Sequence, residues 1–386
     1  MSELVDTIVD ATPLRLDDRL APRRIDSVHI ALTNDCNLRC TYCPIGTGKF
    51  DKSYVSSDVI EKLLAFIETH KINAVGLGYS GEFTKAPDWQ LFVERLLSKG
   101  VVVSALSNFS KLFSAEEVDT FSKMRAIQMS VDSSDAHLER QFRRGLDIKA
   151  VVYNIGAIVA RAENAGRPVP RLEWVCTIND KVVDKFESYV AFAISLGINQ
   201  IIVHQFLPFE GLRAECKDVL KLSGGDLSRA RDCIVAGIEL GRCHDLEVLC
   251  QWLPLLTKKV SESESGAGAR MRTVSFPSIL GHVGDFYATD QDLSEGEAVR
   301  CTLPWQTLYV GGEGNVYPCA VSPYPLGNIG EVSTVDELLF NSKFQEWRQG
   351  SLSSHPQLPC RVCPVAGRCT LEEKRKTLDA MPRFGD

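Results

Sequence analysis

The sequence lacks long apolar runs, an excess of basic charge and an export signal. No stretch approaches the ~18 consecutive apolar residues that a membrane-spanning helix needs. The N-terminal segment is broken by acidic residues and prolines, and it has no apolar core like that of a signal peptide. The net charge is -7 and the pI is about 5.6, so we expect no basic face for nucleic acid. These absences predict a cytoplasmic protein that binds neither membranes nor nucleic acid.

Cysteine, by contrast, is abundant, with 13 residues in a chain of 386. Thiols stay reduced in the cytoplasm, where clustered cysteines bind metals or take part in catalysis more often than they form disulfides. The hydrophobic content of 44% and the chain length suit a globular protein with one large domain and a smaller one. The cysteine spacing is therefore the first feature to interpret.

Three cysteines follow an apolar, strand-like run at residues 28–32. Cys36, Cys40 and Cys43 have the spacing C-x3-C-x2-C. Three thiolates this close can hold three corners of a [4Fe–4S] cluster, which leaves the fourth iron free to bind a ligand. Zinc sites more often present two C-x2-C pairs or a mixture of cysteine and histidine, and buried structural cysteines need no particular spacing.

Short β-branched runs alternate with amphipathic stretches from about residue 27 to residue 206. The predicted strands are 28–33, 74–80, 101–107, 126–132, 171–178 and 200–206. The predicted helices are 57–70, 88–99, 114–123, 147–165 and 182–195, and a further helix at 227–245 leads to a strand at 247–252. Alternation of this kind predicts βαβ units around a parallel sheet, and six units are too few for a closed eight-stranded barrel.

The cysteine spacing after a first strand resembles the signature of the radical S-adenosylmethionine (SAM) superfamily. The six units match the open, partial (β/α)6 barrel, similar to a TIM barrel, of that family, so the expected fold class is α/β. The resemblance implies that the open iron chelates the amino and carboxylate groups of SAM. An electron from the cluster then cleaves SAM to a 5′-deoxyadenosyl radical.

The resemblance also implies a SAM pocket at the carboxyl ends of the strands, where ligands bind in parallel α/β folds. Ser80-Gly81-Glu82 resembles the motif that receives the SAM ammonium group, and Tyr42 holds the aromatic position beside the adenine. Arg144, with Arg143 as the fallback, is expected to neutralise the SAM carboxylate. The remaining expected contacts are polar residues at three other strand ends: Asn108, Ser130 and Asn179.

A second group of cysteines lies in the turn-rich C-terminal part of the chain. Cys301, Cys319, Cys360 and Cys363 resemble the SPASM/twitch extension, and this resemblance implies one auxiliary [4Fe–4S] cluster. The full SPASM pattern continues with another cysteine where this chain has Glu373, so Cys369 is either spare or an alternative ligand. A structural zinc ion on the same four thiolates is the competing interpretation.

These features predict four regions. An N-terminal extension covers residues 1–26, and the radical SAM partial barrel covers 27–250. A linker or insertion covers 251–300, with a flexible loop at 261–269, and the small turn-rich auxiliary domain with its Fe–S cluster covers 301–386.

The predicted reaction is epimerisation or dehydrogenation after the radical abstracts hydrogen. An epimerase needs a thiol hydrogen donor, and Cys250, on the strand that leads to the auxiliary domain, is the candidate catalytic residue. A buried strand cysteine is the simpler interpretation of Cys250. The other cysteines outside the two clusters are Cys176, Cys216, Cys233 and Cys243.

The segment before the first strand is too short for a peptide-recognition domain. It therefore favours a small, sugar-like substrate, and the overall resemblance is to carbohydrate and aminocyclitol dehydrogenases and epimerases of antibiotic biosynthesis. Two alternatives are a peptide- or protein-modifying SPASM enzyme and a non-enzymatic Fe–S electron carrier. The expected partner is a reductant such as flavodoxin or ferredoxin.

Overall fold

The structure is a computed structural model. It describes residues 18–47, 51–206, 216–265, 272–277, 283–288, 293–320, 322–361, 363 and 366–385. The predictions made for residues 1–17 and 266–269 lie outside these ranges. All 13 cysteines lie within them, and none forms a disulfide.

Sixteen strands are found in the described residues, and they are numbered in chain order. They are β1 (Ser27–Ile30), β2 (Arg39–Cys40), β3 (Ala74–Leu77), β4 (Val102–Ser107), β5 (Ala126–Ser130), β6 (Arg143–Arg144), β7 (Arg171–Ile178), β8 (Gln200–Gln205), β9 (Glu247–Leu249), β10 (Arg272–Pro277), β11 (Val283–Ala288), β12 (Glu297–Val299), β13 (Thr307–Val310), β14 (Asn315–Tyr317), β15 (Gly327–Asn328) and β16 (Arg368–Thr370).

The same residues form thirteen α-helices. They are α1 (Ser57–Thr69), α2 (Trp89–Ser98), α3 (Ala115–Phe121), α4 (Ala136–Phe142), α5 (Ile148–Asn164), α6 (Phe186–Ser195), α7 (Gly224–Cys243), α8 (Leu253–Glu264), α9 (Leu303–Gln306), α10 (Val335–Leu339), α11 (Ser342–Ser351), α12 (Leu358–Arg361) and α13 (Leu371–Ala380). None of the helices is both long and apolar enough to cross a bilayer.

One ten-stranded sheet organises the molecule. Its strand order is β15-β14-β13-β1-β3-β4-β5-β7-β8-β9, and every pairing from β13 to β9 is parallel. Strands β1, β3, β4, β5, β7 and β8 are the six predicted strands, in the predicted sequence of βα units. The prediction of an α/β fold with a partial (β/α)6 barrel is confirmed.

The two faces of this sheet differ in burial. Ile30, Ile127 and Trp174 are completely buried on the side of the helices, where the Trp174 ring lies 5.1 Å from the ring of Tyr189 in α6. Because side chains alternate along a strand, His29 lies on the other side. We call this second side the inner face, and it is only partly covered.

The C-terminal region continues the barrel sheet. Strand β13 pairs in parallel with β1, and β14 and β15 then add to it in antiparallel fashion. Cys319 follows β14, so one cysteine of the C-terminal group is carried by an extension of the same sheet.

The structure differs from the sequence prediction in one helix and one loop. Helix α4, with Asp135 as its N-cap, was not predicted, because seven residues are too few to show a clear apolar period. The flexible loop predicted at residues 261–269 is wrong for residues 261–264, because α8 continues to Glu264. Helix α1 is capped by Ser56, whose hydroxyl accepts a hydrogen bond from the Val59 amide at 3.3 Å.

Candidate functional site

The first cysteine motif lies in the loop that follows β1. Cys36, Cys40 and Cys43 are all partly buried, and the Cys43 amide donates to the Cys40 carbonyl at 3.2 Å, which closes a tight turn. Burial raises the pKa of the Cys36 thiol to about 11 and raises the pKa of Cys40 further. Cys43 contributes to both of these increases and Cys36 to that of Cys40, so the three thiols lie close enough to interact.

A two-stranded ribbon fixes the middle cysteine. Strand β2 pairs with β6, so that Cys40 lies opposite Arg143 and Arg39 lies opposite Arg144. Residues directly opposite on paired strands share a face. Arg143 is therefore on the side of Cys40 and is buried, whereas Arg144 shares the other side with Arg39 and is exposed. Of the two arginines predicted near SAM, it is Arg143, the fallback, that lies beside Cys40.

Arg143 forms a bidentate ion pair beneath the cysteine loop. Its Nε and Nη2 donate to the two oxygens of Asp132 at 2.9 and 3.0 Å. The same carboxylate accepts from the Tyr42 hydroxyl and from the Thr177 amide at 2.8 Å. The Arg143 guanidinium also lies 5.6 Å from the centre of the Tyr42 ring. Asp132 is 2% exposed, so it is a buried anchor for the loop, the ribbon and the end of β7.

The predicted ammonium motif packs against the chain just before Cys36. Gly81 has φ +65, and a Cβ there would lie 2.3 Å from the Thr33 carbonyl oxygen, so only glycine allows this approach. The buried Glu82 carboxylate accepts from the Ser107 hydroxyl at 2.9 Å and the Asn108 amide at 2.8 Å. Burial raises the pKa of Glu82 above its ordinary value, and these hydrogen bonds offset part of that increase.

The other predicted contact residues lie at the carboxyl ends of the strands. The Asn108 side-chain amide lies 3.8 Å from Cys36 Sγ, which brings the end of β4 to the cysteine loop. Ser80 and Ser130 are partly buried. Asn179 is fully buried, and its Nδ2 has no hydrogen-bond partner among the described residues.

In these loops, three buried polar atoms have no hydrogen-bond partner within the part of the chain that the structure describes. Besides Asn179 Nδ2, they are Thr41 Oγ1, within the cysteine motif, and the hydroxyl of Tyr79, just before the Ser80–Glu82 motif. Buried polar groups are normally hydrogen-bonded. Such a concentration fits loops that bind a polar group supplied by a ligand.

The thiols of the second group of cysteines lie near one another. Burial, with smaller contributions from Cys319, Cys301 and Cys363, raises the pKa of Cys360 to about 12, so these four thiols are neighbours. Leu293, Val299 and Ala366 form a small apolar cluster against three of them. Cys369 lies apart on β16, where its thiol is 3.7 Å from the Ala298 carbonyl oxygen.

The residues around the second site include two that the sequence did not indicate. Lys374 of α13 is 1% exposed, and its ammonium donates to the Val299 carbonyl at 2.9 Å and to the Cys301 carbonyl. Tyr309 of β13 is also adjacent to this site. Burial, with smaller contributions from Cys319 and Cys301, raises its pKa to about 12. A lysine in a polar helix and a tyrosine in a strand carry no local sequence signal of such positions.

The candidate hydrogen donor Cys250 directly follows β9. It packs against the hydrophobic core, and burial raises its pKa to about 12. The fully buried thiol of Cys176 is close enough to interact with it, and that thiol lies 3.5 Å from the Asp132 carbonyl oxygen on the helix side of the sheet. The structure thus places Cys250 in packed surroundings, and its role as a donor stays a prediction.

The donor sets fit iron–sulfur clusters chemically. Thiolates are the ligands that such clusters use, and here three thiols lie in one loop and four lie near one another in the C-terminal region. Among the described residues, no three His, Cys, Asp or Glu side chains stand in the arrangement of a formed metal site. The fit therefore rests on the proximity of the thiols and on their chemistry.

Comparison with known proteins identifies two domains. A model of the radical SAM superfamily matches residues 30–163, and a model of the iron–sulfur cluster-binding SPASM domain matches residues 301–364. No curated protein matches the chain in sequence.

Solved structures share the fold over most of the chain. Streptococcus suis SuiB is 14% identical with a TM-score of 0.60, and the match covers 96% of this chain and 79% of that one. The protein anSMEcpe, solved with bound AdoMet and the Cp18Cys peptide, is 15% identical with a TM-score of 0.56, and the match covers 93% of each chain. At these identities the similarity shows a common architecture.

Proposed function

We propose that this chain, which carries a radical SAM domain followed by a SPASM domain, generates a 5′-deoxyadenosyl radical and uses it to abstract hydrogen from a substrate carbon. The observation that carries the proposal is the loop with Cys36, Cys40 and Cys43, where three interacting thiols lie near buried polar atoms that have no hydrogen-bond partner among the described residues. A bound cluster with SAM supplies the radical chemistry. The protein holds, orients and shields the reacting groups.

Cys36, Cys40 and Cys43 would hold the SAM-binding [4Fe–4S] cluster. Cys301, Cys319, Cys360 and Cys363 would hold one auxiliary [4Fe–4S] cluster. The expected reductant is a flavodoxin or a ferredoxin.

The strand-end residues would bind SAM. Gly81 lets the Ser80–Glu82 motif pack against the chain just before Cys36, and among the described residues the Nδ2 donor of Asn179 has no hydrogen-bond partner. Tyr42 is held in place by Asp132, ready to pack against the adenine. For the SAM carboxylate, Arg143 is the arginine on the cysteine side, but its two side-chain hydrogen bonds are to Asp132. Among the described residues the Arg144 side chain forms no hydrogen bond or ion pair, but it lies with Arg39 on the other face of the ribbon.

The inner face of the barrel supports a polar, hydroxylated substrate. Gln128 of β5 donates to Glu173 of β7 at 2.8 Å, and Ser104 and His204 lie on the same face. Such side chains hydrogen-bond to hydroxyl and amino groups. We therefore propose a sugar or aminocyclitol substrate that reacts at a carbinol carbon and is epimerised or dehydrogenated.

A peptide or protein substrate is the second candidate. It is favoured by the fold shared with SuiB, solved with its precursor peptide SuiA, and with anSMEcpe, solved with a peptide. The same polar inner face would then bind backbone amides.

The test is SAM cleavage by the reconstituted full-length protein. Anaerobically reconstituted and chemically reduced enzyme should convert SAM to 5′-deoxyadenosine, whereas the Cys40→Ala variant should not. Absence of 5′-deoxyadenosine from the loaded wild-type enzyme would refute the proposal and favour an electron carrier.

Panels of aminocyclitols and of short peptides then separate the two substrate classes. The correct class increases 5′-deoxyadenosine formation. Its product has either lost two hydrogens, as in dehydrogenation, or gained one solvent deuterium, as in epimerisation in deuterated water.

A further inference from the structure

Lys374 occupies an unusual position for a lysine. It lies in the second turn of α13, a helix whose first turn is fixed by the capping box of Thr370 and Glu373. Lys376, two residues later, has a side chain that is 73% exposed. Lys374 points the other way, together with Leu378, and is 1% exposed. Its whole side chain is therefore inside the protein, beside the second cysteine group.

The contacts of the Lys374 ammonium are to neutral groups. It donates to the Val299 and Cys301 carbonyl oxygens, and it lies 4.9 Å from the centre of the Trp305 ring. These contacts satisfy donors and add a cation–π attraction. They supply no negative charge.

No carboxylate compensates this buried cation. Among the described residues, no Asp or Glu oxygen lies within 4.0 Å of the Lys374 ammonium. The neighbouring Glu373 turns back to accept from the Thr370 amide at 2.8 Å. An unpaired buried charge is costly, and proteins normally pair it.

The negative charge available to Lys374 is on the cysteines. Burial lowers the pKa of Lys374, and Cys301, Cys369 and Cys360 oppose this effect. Four thiolates around a cubane leave a net negative charge on the site, because their charge exceeds that of the cluster core. The lysine is thus arranged as the partner of an anionic centre.

We propose that Lys374 is the resident counter-ion of the auxiliary cluster and raises the reduction potential of that cluster. The inference rests on the proposed function only in requiring a cluster on the C-terminal thiols. Reduction adds an electron to an already negative site, and a fixed cation nearby stabilises the reduced form more than the oxidised form. Lys374 therefore acts as a positioning residue that makes the auxiliary cluster a better electron acceptor.

The test is an anaerobic potentiometric titration of the full-length holoenzyme, followed by electron paramagnetic resonance. We compare wild type with Lys374→Met, which removes the charge, and Lys374→Arg, which keeps it. Lys376→Met is the matched control, since it removes a charge from the exposed side of the same helix. The cluster on Cys36, Cys40 and Cys43 serves as an internal reference in each sample.

We expect the auxiliary potential of Lys374→Met to fall by at least 59 mV, a tenfold change in a one-electron equilibrium. Lys374→Arg, Lys376→Met and the reference cluster should remain near their wild-type values. An unchanged auxiliary potential in Lys374→Met would overturn the inference.

A second measurement, the melting temperature with and without the auxiliary cluster, covers variants that do not bind this cluster. In cluster-free protein the charge has lost its partner, so Lys374→Met should melt at or above the wild-type temperature. In loaded protein, wild type should be the more stable of the two. If Lys374→Met destabilises the cluster-free protein as much as the loaded one, the lysine is merely structural and the inference fails. If the wild-type C-terminal site binds no cluster, it is the proposed auxiliary cluster that fails.

Discussion

Replacement of Arg143 by methionine tests whether the buried ion pair anchors the cysteine loop. Methionine keeps most of the length of the side chain and removes its charge. The Asp132 carboxylate then loses two hydrogen bonds, at 2.9 and 3.0 Å, while its side chain remains fully buried. The nearby carboxylate of Glu139, 3.7 Å from Arg143 in the wild type, loses the same cation.

The magnitude follows from this burial. Removing one partner of a buried ion pair costs about 3–5 kcal/mol, because the other charge is left uncompensated. An exposed pair is worth about 0–1 kcal/mol. Arg161 forms such a pair with Asp119 at 2.7 Å, and its side chain is 50% exposed. Arg161→Met is therefore the matched control.

The assay is guanidinium denaturation of the full-length protein, followed by tryptophan fluorescence and circular dichroism. Arg143→Met should lower the free energy of unfolding by about 3–5 kcal/mol, and Arg161→Met by less than about 1 kcal/mol. The double variant with Asp132→Asn should lose about 1–3 kcal/mol less than the sum of the single variants, since the two residues share one interaction. Equal, small effects of both arginine variants would refute the anchoring role.

The remaining predictions concern the two clusters, the thiol donor and pH. Replacing Cys36, Cys40 and Cys43 together by alanine should leave roughly four irons and abolish SAM cleavage; iron analysis and retained cleavage check this assignment. The wild-type chain should bind about eight irons, and about twelve, or zinc at the C-terminal site, would contradict one auxiliary cluster. Cys250→Ala should stop an epimerase after 5′-deoxyadenosine formation, with no inverted product, whereas full activity would remove Cys250 from the mechanism. Burial and Asp132 raise the pKa of Glu139 to about 8 in the folded state, above its value in the unfolded chain. The folded protein therefore loses stability as the pH rises toward 8. Glu139→Gln should reduce this dependence of the melting temperature on pH, and an unchanged slope would contradict the assignment.

The fold was predictable where local pattern and tertiary environment agree. The runs at 74–80 and 171–178 are rich in apolar residues, and they became β3 and β7. Strand β3 ends early, at Leu77, because Gly78 has φ +90 and turns the chain toward the Ser80–Glu82 motif. The boundary was thus set by a turn that glycine permits, which the apolar period does not show.

The candidate site was less predictable, because it depends on pairing between distant segments. Which of Arg143 and Arg144 faces the cysteines is decided by the pairing of β2 with β6. A shift by one residue would exchange the two side chains. The burial of Lys374 likewise depends on how α13 packs against β12 and the Trp305 ring, and neither contact is local in sequence.

The two cysteine sites are linked by the structure of the sheet itself. His29 of β1 stacks on Tyr309 of β13 with ring centres 4.7 Å apart and planes inclined by 9°. A Cβ at Gly76 would lie 2.5 Å from the His29 ring, so glycine on β3 makes room for the stack. Tyr309 in turn adjoins Cys301 and Cys319. Because parallel pairing and this stack fix β13 to β1, Cys301 and Cys319 are held at a set place relative to the inner face of the barrel.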